Sequence, residues 1–311
     1  MTSNIKVSVL MPVYNTKDKY LVEAIESILN QTLKDIELII VDDNSDAKTK
    51  NVIRSFLMDS RVKVIENDEN LGVAASLNKG LGQVSGKYIA RMDSDDVAFP
   101  NRLEKQYNYM EAHKDCVAIG SNMCLIDSQG QYIRYAKNYC EVNELKTAMF
   151  FGCSFFHPTM FLRRDIVLKE GYKYNCDYTT EDYELWNRII YKYEMRNINE
   201  VLLKYRIHGN NVSTLKRELM DKSTARVQME RFKYYGVDIS LNHDLICSCE
   251  NIIELRRIES ALKELIKKYE WIDKNVIKER VLMMYKNSSL KQLKLFGRYL
   301  RYFIVFRNNL I

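Results

Sequence analysis

The chain has 311 residues, 46% of them hydrophobic and 28% charged, with a formal net charge of +6. That length leaves room for about two domains, and the mixed composition excludes a disordered, collagen-like or low-complexity chain. No uninterrupted apolar stretch reaches the roughly 18 residues of a membrane span, and Met-Thr-Ser-Asn-Ile-Lys at the start lacks a signal peptide's apolar centre, so a cytoplasmic protein is expected.

Ile5 to Met11 reads as a buried strand that Pro12-Val-Tyr14-Asn15 ends. Leu21, Ala24, Ile25, Ile28 and Leu29 recur at helical spacing and predict an amphipathic helix over 19–31. A second strand over 36–41 is nearly all apolar, as expected where both faces are covered, and stops at Asp42-Asp43-Asn44-Ser45. A helix near 48–58, a strand at 62–65, a loop at 67–72 and a helix over 73–81 follow. The fourth strand, over 87–92, runs into Asp93-Ser94-Asp95-Asp96. Strand-helix-strand repeats of this length indicate a parallel sheet, whose ligand lies beyond the carboxyl ends of the strands. Topology alone then brings Tyr14-Asn15, Asp42-Asp43 and the acid cluster to one edge.

The second half is less regular. A helix is expected over 101–113, β-like segments at 117–125 and 132–135, and a strand over 153–163 interrupted at His157-Pro158-Thr159. Thr180 to Tyr193 reads as a helix, 202–207 as extended, and the chain from about 215 onward as helical. The expected division is a domain over 1–215 and a C-terminal helical region over 216–311. Seven cysteines form no CxxC pair and fit packing thiols in a reducing compartment; Cys247-Ser-Cys249 has no second pair to complete a metal site.

Three carboxylates within four residues repel one another and resist burial unless a cation joins them. Alone, Asp93-Ser-Asp95-Asp96 is either a solvated acidic turn or a seat for a divalent metal. A dinucleotide site is excluded, because the first turn has no GxGxxG and places Tyr14 where a phosphate needs close backbone approach; no Walker A sequence occurs either. Tyr14 as a stacking face, Asp43 as an acceptor and metal-holding acids together suit a nucleotide diphosphate donor.

Seven segments then carry a resemblance: Val9-Leu-Met-Pro12-Val-Tyr14-Asn15, Ile28-Leu-Asn-Gln-Thr32, Val41-Asp-Asp43-Asn-Ser45, Asn70-Leu-Gly72, Met92-Asp93-Ser94-Asp95-Asp96, Thr180-Glu181-Asp182-Tyr-Glu-Leu-Trp186 and Tyr205-Arg-Ile-His208. In order and spacing the chain resembles a family 2 glycosyltransferase, one of the inverting enzymes of bacterial surface-polysaccharide synthesis. The resemblance implies a GT-A fold, α/β and Rossmann-like, with a mostly parallel sheet flanked by helices. It also implies transfer of a hexose or N-acetylhexosamine from a UDP-sugar to a hydroxyl of a glycan acceptor. The alternative is a non-catalytic nucleotide-sugar-binding or scaffolding protein that retains the fold.

The implied roles fall on residues of those segments. Asp43 would accept from the uracil N3–H with Tyr14 against the ring, and Pro12, Asn15, Asn70 and Ser94 line the donor side. Asp93 would meet the ribose or sugar, and Arg91 balances charge beside the acids. Asp95, Asp96 and His208 would hold Mn²⁺ or Mg²⁺. Asp182, with Glu181 beside it, is the expected base that takes the acceptor's proton. As a purely structural feature, acids in a first helical turn also complement the helix dipole. Arg206 stays undecided between charge balance and phosphate contact.

After Glu279 the chain has no acidic residue but carries Arg280, Lys286, Lys291, Lys294, Arg298, Arg301 and Arg307. This segment reads either as a packed helix with a solvated basic face, or as a peripheral contact with an anionic membrane, at the cytoplasmic face of the inner membrane, where a lipid-linked acceptor would lie. Nucleic acid is not an expected partner, since no recognisable module is present.

Overall fold

The computed structural model describes residues 5–209, 217–239 and 252–291. Two compact units emerge. The first takes in residues 1–140, 155–177 and 188–211, and the second residues 141–154, 178–187 and 212–311.

Nine strands among the described residues form the sheet of the first unit. They are β1 (Val7–Val13), β2 (Ile36–Asp42), β3 (Val62–Glu66), β4 (Tyr88–Arg91), β5 (Val97–Ala98), β6 (Cys116–Ile126), β7 (Tyr132–Ala136), β8 (Phe161–Arg163) and β9 (Glu194–Arg206). The order is β3-β2-β1-β4-β8-β6-β9-β5, with β7 on β6. β1 to β4 are parallel, as the alternating pattern predicts, with Val7 opposite both Ile36 and Tyr88. The rest makes the sheet mixed: β8 runs antiparallel to β4 and β6, while β9 runs parallel to β6.

The helices α1 (Asp18–Leu29), α2 (Ala47–Ser55), α3 (Val73–Leu81) and α4 (Arg102–Ala112) follow the early strands. Tyr20, Leu21, Ala24, Ile25, Ile28 and Leu29 are the buried face of α1. All but Tyr20 join Val7, Val9, Met11, Leu38 and Ile40 in one core, the burial that holds the sheet in place. β1 and β2 are buried along their whole length, which explains their mostly apolar sequences; the buried Ser8 and Glu37 are hydrogen-bonded to each other.

Pro12 sits inside β1, which runs two residues further than its proline suggests. Leu10 O accepts from Met92 N on the β4 side, whereas Val13 O accepts from Asp43 N on the β2 side. Pro12 therefore faces the β4 side, past the last β1–β4 pair, Leu10 with Arg91. Its missing N–H costs no ladder bond there.

Other expectations are corrected. The strand over 153–163 is limited to Phe161–Arg163, because His157–Thr159 forms a 3-10 turn with Pro158 in its first turn. The extended segment expected at 202–207 begins at Glu194 and spans 13 residues. Two short helices went unanticipated, α5 (Val142–Ala148) and α6 (Arg164–Lys169). Glu141 and Glu144 form a capping box at the start of α5, so the signal was present in the sequence. Cys116 is a buried thiol, pushed up to about 12 by burial, in keeping with a packing role. Cys247 and Cys249 lie outside the described residues.

The second unit is helical. It contains α5, the start of α7 (Glu181–Lys192), and α8 (Arg217–Tyr234), α9 (Ile252–Lys268) and α10 (Lys274–Lys291). Phe150, Phe232, Leu255, Ile258, Leu262, Leu265 and Val281 form its own core. Arg231 is buried within it, donating to Asn187 Oδ1 at 2.6 Å and Lys146 O at 2.6 Å, with its guanidinium 4.6 Å from the centre of the Phe150 ring. The basic segment expected to meet a membrane lies outside the described residues beyond Lys291. Among the described residues no helix is long and apolar enough to cross a membrane.

Candidate active site

Parallel order places the carboxyl ends of β1, β2 and β4 side by side, and hydrogen bonds tie their loops together. Asn15 N donates to Ser45 Oγ at 3.1 Å, and Asn15 Oδ1 accepts from Asp46 N at 2.7 Å. Thr16 and Ser94 share a hydroxyl hydrogen bond of 2.6 Å, joining the β1 and β4 loops. Asn15 and Asn44 have φ of 47° and 60°, a left-handed conformation that asparagine tolerates better than bulkier residues. Tyr14 stands at this edge with 53% of its surface exposed, a large aromatic face offered to solvent.

Asp43 is buried and heavily bonded. Its Oδ1 accepts from Asn67 Nδ2 at 2.7 Å and Leu71 N at 2.8 Å, and its Oδ2 accepts from Gly72 N at 2.8 Å. Gly72 is the N-cap of α3 with φ of 85°, a conformation that favours glycine. Asp43 thus neutralises a helix N-terminus and fixes the 67–72 loop, a role the sequence did not disclose. Asn70 Nδ2 reaches the Asp43 carbonyl at 3.5 Å.

The acid cluster follows β4. Asp93, Asp95 and Asp96 each present a carboxylate oxygen within 4.8 Å of the others. Burial first, then the neighbouring acids, raise the Asp95 carboxyl above its ordinary range and Asp96 well above it. Arg91, buried at the end of β4, forms an ion pair with Asp93. Burial works against its charge, yet Asp93 more than offsets this and leaves the guanidinium pKa raised. Asp96 Oδ1 accepts from Arg206 N at 2.8 Å, whereas its buried Oδ2 has no hydrogen-bond partner among the described residues. His208 Nε2 lies 2.7 Å from Asp95 Oδ2.

That donor set fits a divalent ion. Three clustered carboxylates and an imidazole are ligands for Mn²⁺ or Mg²⁺, and a buried carboxylate oxygen without a partner is costly unless a cation meets it. Asp93, Asp95, Asp96 and His208 are the residues that could hold the ion.

His157 is buried, 3.0 Å from the Tyr174 hydroxyl, and burial followed by Arg91 holds its pKa well below the usual imidazole value. Thr16, Ser45 and Asn67 organise the site without having been singled out from sequence, because short polar residues in loops are too common to be read individually. Glu181 and Asp182 begin α7 in the second unit, where Asp182 Oδ1 accepts from Tyr183 N at 2.7 Å. Thr180 Oγ1 meets Ser223 Oγ at 2.8 Å in the same unit.

Comparison with known proteins agrees on family. The model for glycosyl transferase family 2 matches residues 8–171. An uncharacterized glycosyltransferase of Haemophilus influenzae is 34% identical over 269 residues, covering 83% of each chain. The O-antigen biosynthesis glycosyltransferase WbnJ of Escherichia coli is 37% identical over 231 residues, 73% of this chain and 88% of its own. Among solved structures, S. aureus TarS with UDP-GlcNAc superposes with a TM-score of 0.58 at 15% identity, covering 97% of this chain and 91% of that one. The mannosyltransferase PcManGT of Pyrobaculum calidifontis, with GDP-Man and Mn²⁺, gives 0.57 at 15% identity, covering 93% and 87%. At such identities the structures speak for the fold, which is GT-A, while the sequence relatives speak for descent. The chain belongs to glycosyl transferase family 2.

Proposed function

We propose that the chain is an inverting, metal-dependent transferase that moves a hexose or N-acetylhexosamine from a UDP-sugar to a glycan hydroxyl during surface polysaccharide synthesis. The observation that carries this reading is the acid cluster after β4, with His208 against Asp95 and the exposed Tyr14 on the same sheet edge. TarS with UDP-GlcNAc and PcManGT with Mn²⁺ support the donor class and the ion. WbnJ supports the pathway class.

In this reading Tyr14 stacks on the base, Asp43 accepts from its N3–H, and Pro12, Asn15, Asn70 and Ser94 shape the donor side. Arg91 sets the position of Asp93 toward the ribose or sugar. A bound divalent ion would supply Lewis-acid stabilisation of the departing diphosphate. The acceptor hydroxyl oxygen attacks the anomeric carbon, the bond from that carbon to the phosphate oxygen breaks, and its electron pair leaves with UDP. The hydroxyl proton passes to the Asp182 carboxylate, with Glu181 beside it, and no covalent enzyme intermediate forms. Residues 1–215 carry this chemistry. The basic segment at 286–311 would hold the enzyme on the cytoplasmic face of a membrane, where a lipid-linked acceptor lies.

UDP release from UDP-Gal, UDP-Glc and UDP-GlcNAc, with and without Mn²⁺, tests the activity. Metal-dependent release that Asp95→Ala removes is the expected result. If no UDP-sugar is bound or hydrolysed with Mn²⁺ and Asp95→Ala changes nothing, the reading fails. Removing 286–311 is expected to abolish sedimentation with anionic liposomes while donor hydrolysis persists.

A further inference from the structure

The Arg206 side chain offers no ligand atom to a cation, yet the residue bonds to two members of the acid cluster. Its backbone N donates to Asp96 Oδ1 at 2.8 Å, and its side-chain Nε donates to Asp95 O at 2.8 Å. Two residues further along, His208 meets Asp95 Oδ2. One short run at the end of β9 therefore touches Asp95 at both backbone and side chain, and Asp96 at its carboxylate.

The guanidinium is itself held from the far side. It is 1% exposed, pairs with Glu23 of α1, and lies 4.4 Å from the centre of the Tyr20 ring. Tyr20 in turn stacks on His208, with ring centroids 5.5 Å apart and planes 25° apart, and its hydroxyl donates to Ser128 O at 3.1 Å. Tyr20 and Glu23 sit one helical turn apart, so α1 presents both to the guanidinium together. A planar guanidinium suits this use, because it stacks on a ring while its edge makes several directed hydrogen bonds; a lysine ammonium cannot do both.

We propose that Arg206 is the positioning residue of the metal site, braced by Glu23 and Tyr20, and that it sets where Asp95, Asp96 and His208 stand relative to one another. The inference rests on the proposed metal dependence. Groups that orient ligands without binding the metal typically contribute roughly 10- to 100-fold to metal affinity. Loss of the brace is expected to weaken Mn²⁺ binding by about that factor.

The test is a Mn²⁺ titration of the full chain, read by the electron paramagnetic resonance of unbound Mn²⁺, alongside thermal unfolding without metal. The proteins are wild type, Asp95→Ala, Arg206→Lys, Glu23→Gln and Tyr20→Leu. Expected is weakened Mn²⁺ binding in Arg206→Lys, and in Glu23→Gln and Tyr20→Leu with metal-free melting close to wild type. If Arg206→Lys does not fold, Glu23→Gln decides, since it alters the brace from a half-exposed position on α1. Wild-type affinity in Glu23→Gln and Tyr20→Leu, with Asp95→Ala losing the ion, would overturn this inference alone. Absence of Mn²⁺ binding by the wild type would overturn it together with the metal-dependent reading.

Discussion

His208 and Asp95 are 113 residues apart in sequence, yet the imidazole Nε2 stands 2.7 Å from the carboxylate Oδ2. The contact joins the loop after β4 to the end of β9, which lie in different parts of the sheet order. A carboxylate and an imidazole, two side-chain types able to ligate divalent ions, are thus at contact distance.

His208→Ala should raise the Mn²⁺ concentration needed for half-maximal UDP release by at least the roughly tenfold expected for a group that orients or supplies a ligand. The measurement is a metal titration of donor hydrolysis. An unchanged midpoint would remove His208 from the ligand set.

Asp43→Ala should act on stability and donor binding together. It leaves Leu71 N, Gly72 N and Asn67 Nδ2 without their acceptor, at about 1–3 kcal/mol for a buried group left unsatisfied. Unfolding in urea with and without UDP separates the two effects: lower stability in both, and no added stability from UDP in the variant.

Asp182→Asn should lower kcat by roughly 10²- to 10⁴-fold, the usual contribution of a general base, with donor binding retained. Single-turnover transfer to an acceptor compared with UDP affinity is the readout. A variant that still transfers at the wild-type rate would assign the base elsewhere.

At the opposite end of the sheet, Glu37 gives a pH prediction. Its carboxylate accepts from Ser8 Oγ at 2.5 Å, Lys63 Nζ at 2.7 Å and Ser85 N at 2.8 Å. Burial alone would raise its pKa, but these bonds outweigh it and leave the value below the ordinary one. A depressed folded-state value stabilises the fold above the unfolded-state pKa, and that contribution is lost as pH falls through the folded one. The stability gap between wild type and Glu37→Gln should therefore be constant near neutrality and shrink in acid. Urea midpoints from pH 7 to pH 3 measure it, and a gap that widens in acid would contradict the sign.

Gly86→Ala should destabilise by about 1–3 kcal/mol through overpacking, since the added carbon would sit 2.6 Å from Ser8 N and 2.8 Å from Val7 C. Both neighbours are backbone atoms of a central strand and cannot swing aside. Thermal unfolding checks it.

The parallel half of the sheet was legible because it is built from local patterns. The helix over 73–81 begins and ends where its sequence predicts, and α1 shows its buried face at i, i+3 and i+4. The strand-end rule also brought Tyr14, Asp43 and Asp93 to one edge without any contact being known. What could not be read was pairing over long sequence distances. β9 begins eight residues before its apolar end, and its first half mixes buried Met195, Asn197 and Ile198 with exposed Asn199 and Glu200, a pattern with no clean alternation to read. Asp43 reads as a ligand acceptor from its position, while its bonds to Leu71 and Gly72 are set by a loop whose course no local pattern encodes. Glu23 looks like any solvent-facing acid on a helix until Arg206 arrives from β9.

Asn15 and Asn44 carry a consequence for binding thermodynamics. Each holds a left-handed backbone at a strand end, and both loops are cross-linked by Ser45, Asp46 and Thr16 before substrate is present. The ordering entropy of these loops is then a cost of folding and not of ligand capture. Donor association should accordingly show little loss of backbone freedom at this edge, and its rate should follow diffusion and charge instead of loop rearrangement.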